Sequence, residues 1–193
     1  MAPHSSNVVQ APTGPRVLLL TGEKGVGKST LLREVINKLR CEVAGFVTEP
    51  VLDHDHRVGY RMIDLCTGKE ATIAQRVPHS TAARGGPFVV NHQAFEVFGA
   101  ALVREASRRA DLIVMDEIGC MEQGAPLFQE AVRACLASGK PVICVVQAAK
   151  CAFVEELLAT YRTEVVRVSA VQMEKTRGLI LERVRKWGLC DVG

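Results

Sequence analysis

Four residues near the start of the chain have the types and the spacing that hold a polyphosphate. Gly22, Gly27, Lys28 and Ser29 fit the pattern G-x-x-x-x-G-K-[ST]. The glycines let the backbone wrap closely around a phosphate, and the loop amides and the start of the following helix supply positive partial charge. We expect Lys28 to reach the β- and γ-phosphates and the Ser29 hydroxyl to bind Mg²⁺. The pattern predicts a phosphate-binding loop for a nucleoside triphosphate.

The whole loop and the first helical residues are expected to contact the nucleotide. Lys24 could cap the phosphates, but we favour a position facing solvent for its side chain. The predicted nucleotide-binding residues of this segment are Gly22, Glu23, Lys24, Gly25, Val26, Gly27, Lys28, Ser29 and Thr30.

A pair of acids much later in the chain supplies the second part of the chemistry. Asp116 and Glu117 directly follow the apolar run LIVM. An acid at the carboxyl end of a strand can hold Mg²⁺ beside a phosphate loop, and a neighbouring carboxylate can orient the attacking water. We therefore predict Ser29 and Asp116 as metal-binding residues and Glu117 and Lys28 as catalytic residues, with Asp116 also contacting the nucleotide.

Gly119 completes the sequence DEIG, which fits the D-x-x-G pattern of GTPases. In that pattern the glycine amide meets the γ-phosphate, so Gly119 is a further predicted nucleotide-binding residue. The chain has no guanine-selective N-K-x-D, because NKLR (Asn37–Arg40) carries arginine where aspartate is required and falls in the first predicted helix. A guanine-specific switch is therefore disfavoured.

Several polar residues are weaker candidates for the site. Gln147 ends the apolar run PVICVVQ and could sense the γ-phosphate. Arg84, Arg162 and Arg177 are rival candidates for an arginine that neutralises charge developing in the transition state, although a surface cation is the default for each. The sequence DHDHR (Asp53–Arg57) contains metal-ligand residue types, but we interpret it as the tip of a hairpin.

Three aromatic residues could stack on a base. They are Phe46, Tyr60 and Phe88, and we expect at least two of them to pack in the core.

Alternating strands and helices must position these residues. The predicted strands are Val17–Thr21, Val43–Leu52, Asp111–Gly119, Pro141–Gln147 and Glu164–Val168. The predicted helices are Ser29–Arg40, His92–Arg109, Pro126–Ser138, Ala152–Tyr161 and Val171–Trp187. Between the second strand and the second helix, His56–Val77 is typical of two or three short antiparallel strands, with turns near Asp53–His56 and Thr67–Gly68. Ser80–Pro87 is typical of a loop. Parallel strands separated by helices predict a three-layer α/β fold with a mostly parallel sheet and a small antiparallel insertion.

Length and composition fit one domain. The chain has 193 residues, of which 48% are hydrophobic and 23% are charged. We predict a disordered tail at 1–15 and a single domain at 16–193, with the antiparallel insertion at about 53–90. Seven cysteines without a CxxC pair indicate reduced thiols in a cytoplasmic protein. The tail lacks the pattern of a secretory signal. It contains no acidic residues, so targeting to an organelle stays an open alternative.

Charge and hydropathy disfavour two classes of partner. The net charge of +3 is small and the basic residues are scattered, so nucleic acid is not expected as a main partner. The sequence has no apolar run near the ~20 residues that span a bilayer, so no membrane association is expected. We expect a monomer.

With both motifs placed, the chain resembles the cancer-related nucleoside-triphosphatase family, also described as thermophile-type nucleotide phosphatase/kinase proteins. The matching stretches, in the family's order and spacing from Val17 to Val184, are TGEKGVGKSTL, VAGFVTEPV, RVGYRMIDL, FVVNHQAFE, IVMDEIGCMEQ and FVEELL. The resemblance implies a RecA-like P-loop fold, in which a further strand lies between the two motif strands. It also implies slow, Mg²⁺-dependent release of phosphate from many nucleoside triphosphates, which we take as ATP, GTP, CTP and UTP.

The resemblance also assigns roles to residues. It places the family's phosphate loop on Gly22–Ser29 and its metal-side and water-orienting acids on Asp116 and Glu117. This chain departs from the family pattern after DEIG, where Cys120 replaces a common lysine.

The leading hypothesis from the sequence is a Mg²⁺-dependent nucleoside-triphosphate phosphohydrolase of broad base specificity, in which Glu117 orients water. Two alternatives remain open. A nucleotide or nucleoside kinase would use the same loop, but it needs an acceptor site and an arginine-rich lid, for which the segment His56–Gly86 supplies few arginines. A non-hydrolysing binding module would hold the nucleotide without releasing phosphate.

Overall fold

The structure, a computed structural model, describes residues 14–76, 88–147 and 151–189. The predicted tail lies almost wholly outside this range, as do Arg84 and the predicted loop Ser80–Pro87. The strands are β1 Val17–Thr21, β2 Val43–Asp53, β3 His56–Asp64, β4 Glu70–Arg76, β5 Phe88–Val90, β6 Leu112–Ile118, β7 Val142–Val146 and β8 Thr163–Arg167. The α-helices are α1 Lys28–Ile36, α2 His92–Ala94, α3 Ala100–Arg109, α4 Pro126–Ala137, α5 Ala152–Thr160 and α6 Met173–Lys186.

All the described strands belong to one mixed sheet, in the order β5-β4-β3-β2-β6-β7-β1-β8. Five neighbouring strands, β2, β6, β7, β1 and β8, pair in parallel. The strands β2, β3, β4 and β5 form an antiparallel meander. β7 lies between β1 and β6, which carry the two motifs. The predicted α/β fold, with its antiparallel insertion after the second strand, is therefore confirmed.

The central strands bury both of their faces. Leu18 and Leu20 of β1 pack against apolar residues of α1 and α6, whereas Val17 and Leu19 pack on the opposite face with residues of α3, α4 and α5. A strand buried on both faces needs apolar residues at every position, which is why these strands appear in the sequence as continuous apolar runs. Trp187 joins the first of these cores, and its ring nitrogen donates to the carbonyl of Pro15 at 3.1 Å.

The antiparallel meander has the turns that the sequence predicts. His54 and Asp55 adopt positive φ angles between β2 and β3, and the His54 ring nitrogen lies 2.7 Å from the Asp53 carboxylate. The segment Asp53–Arg57 is therefore a hairpin tip, and no three His, Cys, Asp or Glu side chains of the described residues are grouped to hold a metal. The second predicted turn is also present, with Gly68 at a φ of 68°.

Two helices differ most from their predicted form, whereas the bounds of the others agree with the prediction to within two residues. α1 ends at Ile36, and a hydrogen-bonded turn continues to Leu39. The predicted helix His92–Arg109 is divided by a π-helical turn at Phe95–Gly99, where Gly99 lies against the ring of Phe128.

No helix within the described ranges is both long and apolar enough to cross a membrane. The cysteines in those ranges form no disulfide.

Candidate active site

The register of three strands places the acidic pair beside the phosphate loop. Leu20 of β1 is aligned with Val145 of β7, and Val145 is aligned with Asp116 of β6. Because neighbouring strands are about 4.8 Å apart, the backbone of Asp116 lies about 10 Å from that of Leu20. The loop begins at Gly22, just beyond this point. Residues far apart in the sequence therefore meet at the carboxyl edge of one sheet.

Glycine is required at two turns of the loop. Gly22 has a φ of +150°, and a Cβ atom there would lie 2.5 Å from the carbonyl oxygen of Val168. Gly27 has a φ of +98° immediately before α1 begins at Lys28. L-residues rarely adopt these angles, so a side chain at either position would distort the loop that must wrap a phosphate.

The ammonium group of Lys28 lies at the wall of the loop. The side chain is 8% exposed, and Nζ donates to the carbonyl oxygens of Gly22 at 3.0 Å and Glu23 at 2.9 Å. These bonds hold a positive charge beside the cavity that the loop borders. Lys24, also on that border, is exposed, as the sequence favours.

Asp116 is a fully buried carboxylate, and neither of its oxygens has a hydrogen-bond partner within the described residues. Burial raises the pKa of the Asp116 carboxyl to about 6. The nearby Ser29 hydroxyl opposes this rise, although it forms no well-aligned hydrogen bond with the carboxylate. The neighbouring Glu117 carboxylate adds to the rise. Carboxylate and hydroxyl oxygens are ligands that Mg²⁺ prefers, so Asp116 and Ser29 fit a metal site.

A cavity of about 600 Å³ opens beside the loop and runs across the carboxyl edge of the sheet. The order of the strands arranges this lining: glycine and lysine residues of the loop after β1 come first, Gln147 and Glu117 at the ends of β7 and β6 follow, and aromatic residues of β3 and β5 are farthest from the loop. The described residues that line it are Gly22, Lys24, Lys28, Glu117, Gln147, Met121, Tyr60, Phe88 and Val90.

The polar groups at the middle of the cavity are packed together. Glu117 is half-buried, and Gln147 covers Gly119 so closely that a Cβ atom on the glycine would lie 2.4 Å from Cδ of Gln147. The Gly119 amide, which was predicted to meet the γ-phosphate, donates to Oε2 of Glu122 at 2.9 Å. A phosphate contact by Gly119 would therefore require this bond to break.

Glu122 was not among the sequence candidates. It is 1% exposed, and burial raises its pKa to about 7 while the bond from the Gly119 amide opposes the rise. Its backbone carbonyl accepts from Nε2 of Gln129 at 2.8 Å. In the sequence, the one signal for Glu122 is its place in the stretch IVMDEIGCMEQ, but its spacing from the acidic pair predicts no catalytic or binding role.

Glu49 is a second residue whose position the sequence did not predict. Its carboxylate accepts from Arg33 of α1 at 2.5 Å and from Arg61 of β3 at 2.9 Å. The hydrogen bonds from Arg61 and Arg33 lower the pKa of Glu49. This contact joins the helix that follows the phosphate loop to the antiparallel part of the sheet.

Two of the three arginine candidates are within the described residues, and neither joins the described lining of the cavity. Arg162 is exposed between α5 and β8. Arg177 donates to Glu34 at 2.6 Å and pairs with Glu174, so its guanidinium group joins α6 to α1. Arg84 lies outside the described residues.

Comparison with known proteins identifies the family. A family model described as NTPase matches residues 17–184. The chain belongs to the NTPase family. The family resemblance inferred from the sequence motifs is therefore confirmed, and the chain is an enzyme of the nucleoside-triphosphatase class.

Relatives of this NTPase include two proteins that are named as nucleoside-triphosphatases. Nucleoside-triphosphatase THEP1 of Thermococcus kodakarensis is 33% identical over 176 residues, which cover 88% of this chain and 94% of that protein. Nucleoside-triphosphatase THEP1 of Thermofilum pendens is 38% identical over 128 residues, which cover 65% of this chain and 70% of that protein.

Two solved structures share the fold of this NTPase. The crystal structure of THEP1 from the hyperthermophile Aquifex aeolicus matches with a TM-score of 0.73 and 26% identity, covering 86% of this chain and 97% of that one. The solution structure of a human cancer-related nucleoside triphosphatase matches with a TM-score of 0.71 and 27% identity, covering 88% of this chain and 97% of that one. The P-loop NTPase fold is thus shared along nearly the full length of both.

Proposed function

We propose that this NTPase hydrolyses nucleoside triphosphates to the diphosphate and phosphate, with Mg²⁺ and with little selectivity for the base. The observation that carries the proposal is the meeting of the Lys28 ammonium group and the Glu117 carboxylate at one cavity. Next to them is the buried carboxylate of Asp116, whose oxygens have no hydrogen-bond partner among the residues that the structure describes. The names of the relatives, which are nucleoside-triphosphatases, support the same class of reaction.

The loop binds the phosphates and the metal. Lys28 and the loop amides contact the β- and γ-phosphates and stabilise the negative charge that develops in the transition state. Ser29 and Asp116 would hold Mg²⁺, since the two oxygens of Asp116 lack other partners within the described residues. When bound there, Mg²⁺ would offset the negative charge of the phosphates.

Glu117 orients the attacking water. The two neighbouring acids differ in burial, and this difference separates their roles. Asp116 is sealed from solvent, whereas Glu117 is half-buried and faces the cavity, where water reaches its carboxylate. A carboxylate in that position can accept the proton of the water as it attacks.

The position of NKLR supports low base selectivity. Asn37 lies at the C-terminal end of α1, and the phosphate loop lies at the N-terminal end. At a rise of about 1.5 Å per residue, Asn37 is about 13 Å along the helix axis from Lys28. The helix leads away from the loop, and Arg40 stands where the guanine-reading pattern needs aspartate, so this segment does not favour recognition of guanine.

A phosphate-release assay tests the proposal. The purified protein is incubated with ATP, GTP, CTP or UTP, in Mg²⁺ or in EDTA. We expect release from all four nucleotides with kcat/KM values within about tenfold of one another, and none in EDTA. Binding without release would support the non-hydrolysing module, and a preference of about 100-fold or more for one base would contradict low selectivity. Lys28→Ala, purified in parallel, controls for a contaminating phosphatase.

A further inference from the structure

Two thiols meet at the turn that follows β6. The thiol of Cys151, just before α5, donates to the carbonyl oxygen of Gly119 at 2.9 Å. Cys120 is the next residue after Gly119, and a carbonyl oxygen lies about 2.8 Å from the Cα atom of the residue that follows it. The sulfur of Cys151 therefore lies within about 6 Å of Cα of Cys120. The two thiols are also hydrogen-bonded neighbours, and Cys120 packs against the core that contains Cys151.

The two thiols differ in their access to solvent. Cys151 is 1% exposed, whereas Cys120 is only partly buried. A dissolved oxidant therefore reaches the sulfur of Cys120 first, while the sulfur of Cys151 lies beside it in the protein. Cys135 and Cys144 also lie close to each other, but both are sealed in the core. Cys120 and Cys151 thus combine a thiol contact with a route for a small oxidant.

We propose that Cys120 and Cys151 are a site of oxidative modification, at which a peroxide joins the two sulfurs in a disulfide and slows turnover. The Cys120 sulfur attacks one oxygen of the peroxide, the O–O bond breaks, and Cys120 becomes a sulfenic acid as water leaves. The Cys151 sulfur then attacks the Cys120 sulfur, the S–O bond breaks, and a second water leaves with the remaining thiol proton. Two thiols are oxidised to one disulfide, and one hydrogen peroxide is reduced to two waters.

The surroundings of the pair limit how fast it reacts. Burial raises the pKa of the Cys120 thiol, and the neighbouring Cys151 and Glu122 add to the rise. The thiolate is the nucleophile in this reaction, so little of the reactive form is present at neutral pH. The pair therefore responds to sustained oxidant rather than to a brief exposure. The rate of disulfide formation should rise by about tenfold per pH unit from about pH 7 to about pH 9.

A disulfide at this position changes the turn beside the acid pair. Its formation consumes the hydrogen that Cys151 donates to the Gly119 carbonyl, so the carbonyl loses this donor. The two sulfurs must also approach to about 2.05 Å, which pulls the turn and the start of α5 together. Because Gly119 is two positions from Glu117, a shift of the turn moves the carboxylate that faces the cavity. The slowing of turnover rests on the proposed function, whereas the disulfide itself does not.

Mass spectrometry of the oxidised protein tests the site. The reduced protein is treated with hydrogen peroxide until the exposed thiol of Cys66 has become a sulfonic acid, and the remaining thiols are then blocked with N-ethylmaleimide. Trypsin releases residues 110–133 and 151–162 as two peptides with one cysteine each. We expect these peptides to be joined, and dithiothreitol to separate them. Separate peptides, with Cys120 blocked or carried to a sulfonic acid, overturn the proposal.

Phosphate release before and after oxidation tests the effect on turnover. We expect kcat of the oxidised wild type to fall by at least about tenfold and to return with dithiothreitol, since a catalytic group misplaced by about 1 Å can cost about 100-fold. Cys120→Ser should keep wild-type turnover and resist the peroxide, whereas Cys66→Ser, the matched control, should be inhibited like wild type.

Cys151→Ser keeps a hydroxyl donor for the Gly119 carbonyl, so it gives a second test of resistance if Cys120→Ser fails to fold. Joined peptides with unchanged turnover, or equal inhibition of wild type and the resistant variants, overturn the control of the reaction by this pair. A reduced wild type that releases no phosphate overturns the proposed function, while the mass measurement still decides whether the disulfide forms.

Discussion

The buried carboxylate of Glu122 accepts a hydrogen bond from the backbone amide of Gly119 at 2.9 Å. The carbonyl of the same glycine accepts from the thiol of Cys151, also at 2.9 Å. Both polar backbone groups of Gly119 are therefore bonded within the protein. Because Gly119 follows the end of β6, these contacts hold the turn next to Asp116 and Glu117. We expect Glu122 to position the acid pair, although it does not line the described cavity.

The raised pKa of Glu122 predicts a pH-dependent stability. Burial raises the pKa from an ordinary 4.5 to about 7 in the folded protein, so the folded state holds the proton more tightly than the unfolded state. The contribution of Glu122 to the free energy of unfolding is therefore complete below about pH 4.5 and is lost as the pH rises to about 7. Glu122→Gln keeps an acceptor for Gly119 but cannot ionise. We expect this variant to gain on the order of 2–3 kcal/mol over wild type across that range.

Denaturant unfolding of both proteins at a series of pH values measures this gain. Glu130→Gln is the matched control, because Glu130 is exposed on α4. The difference in free energy of unfolding between this variant and wild type should not vary with pH in the same way. A constant difference between wild type and Glu122→Gln across the range would show that the pKa of Glu122 is not raised.

Replacing Glu117 should separate nucleotide binding from turnover. Glu117→Gln keeps the size of the side chain but cannot take a proton from water. We expect nucleotide affinity to stay within about threefold of wild type, while kcat for phosphate release falls by about 10²–10⁴-fold. Equilibrium binding of a fluorescent nucleotide and single-turnover hydrolysis measure the two effects. Glu130→Gln again serves as the control, and wild-type turnover in Glu117→Gln would remove this residue from the catalytic role.

Replacing Asp116 should keep or raise the melting temperature of the ligand-free protein, but it should weaken stabilisation by the Mg²⁺-nucleotide complex. Asp116→Asn removes a charge from a buried site where neither oxygen has a hydrogen-bond partner within the described residues, so the ligand-free variant should unfold at the wild-type temperature or above it. The increase in melting temperature on adding Mg²⁺ with a non-hydrolysable ATP analogue should shrink, because a metal ligand is lost. Thermal unfolding with and without the complex tests both parts. An undiminished increase would mean that Asp116 does not bind the metal.

The packing of β2 against β6 should make Gly45 irreplaceable. A Cβ atom there would lie 1.9 Å from the carbonyl oxygen of Val114, and the φ angle is +123°. Gly45→Ala should therefore destabilise the protein by about 3 kcal/mol or more, or prevent folding. Gly178→Ala is the matched control, since Gly178 lies within α6 and faces open space. It should stabilise the protein by about 0.5–1 kcal/mol. Urea unfolding measures the change in free energy of unfolding in both variants. Equal changes in Gly45→Ala and Gly178→Ala would contradict the close contact at Gly45.

The phosphate loop and its flanking elements could be predicted because their signals are local. An apolar run, a glycine pattern and a helical period follow one another within one segment, and the structure has β1, the loop and α1 at those positions. The acids at the end of β6 were predicted in the same way, from an apolar run that ends in Asp116. The position of β7 between β1 and β6 came from the family resemblance, because spacing alone does not determine the order of strands.

The remaining features depend on contacts between distant segments. Glu122 has no local signal for burial, because its surroundings come from the turn at Gly119 and from α4. Of the three aromatic candidates, Phe46 is fully buried against Phe128, whereas Tyr60 and Phe88 are half-buried at the cavity. The expectation that at least two of them pack in the core holds for Phe46 and for Tyr60, which packs against the same core. The position of Tyr60 and Phe88 at the cavity could not be decided from the sequence, because it arises only when the meander brings β3 and β5 together.

The alignment of Leu20, Val145 and Asp116 links the chemistry of the protein to its folding. A slip of one residue along any of these strands would exchange the two faces, which would carry the carboxylate to the wrong side and turn apolar side chains out of their cores. No compact intermediate with shifted strands can therefore hydrolyse a nucleotide. Recovery of turnover after dilution from denaturant should follow the completion of the central sheet, so enzyme activity can report when a refolding chain has reached its native register.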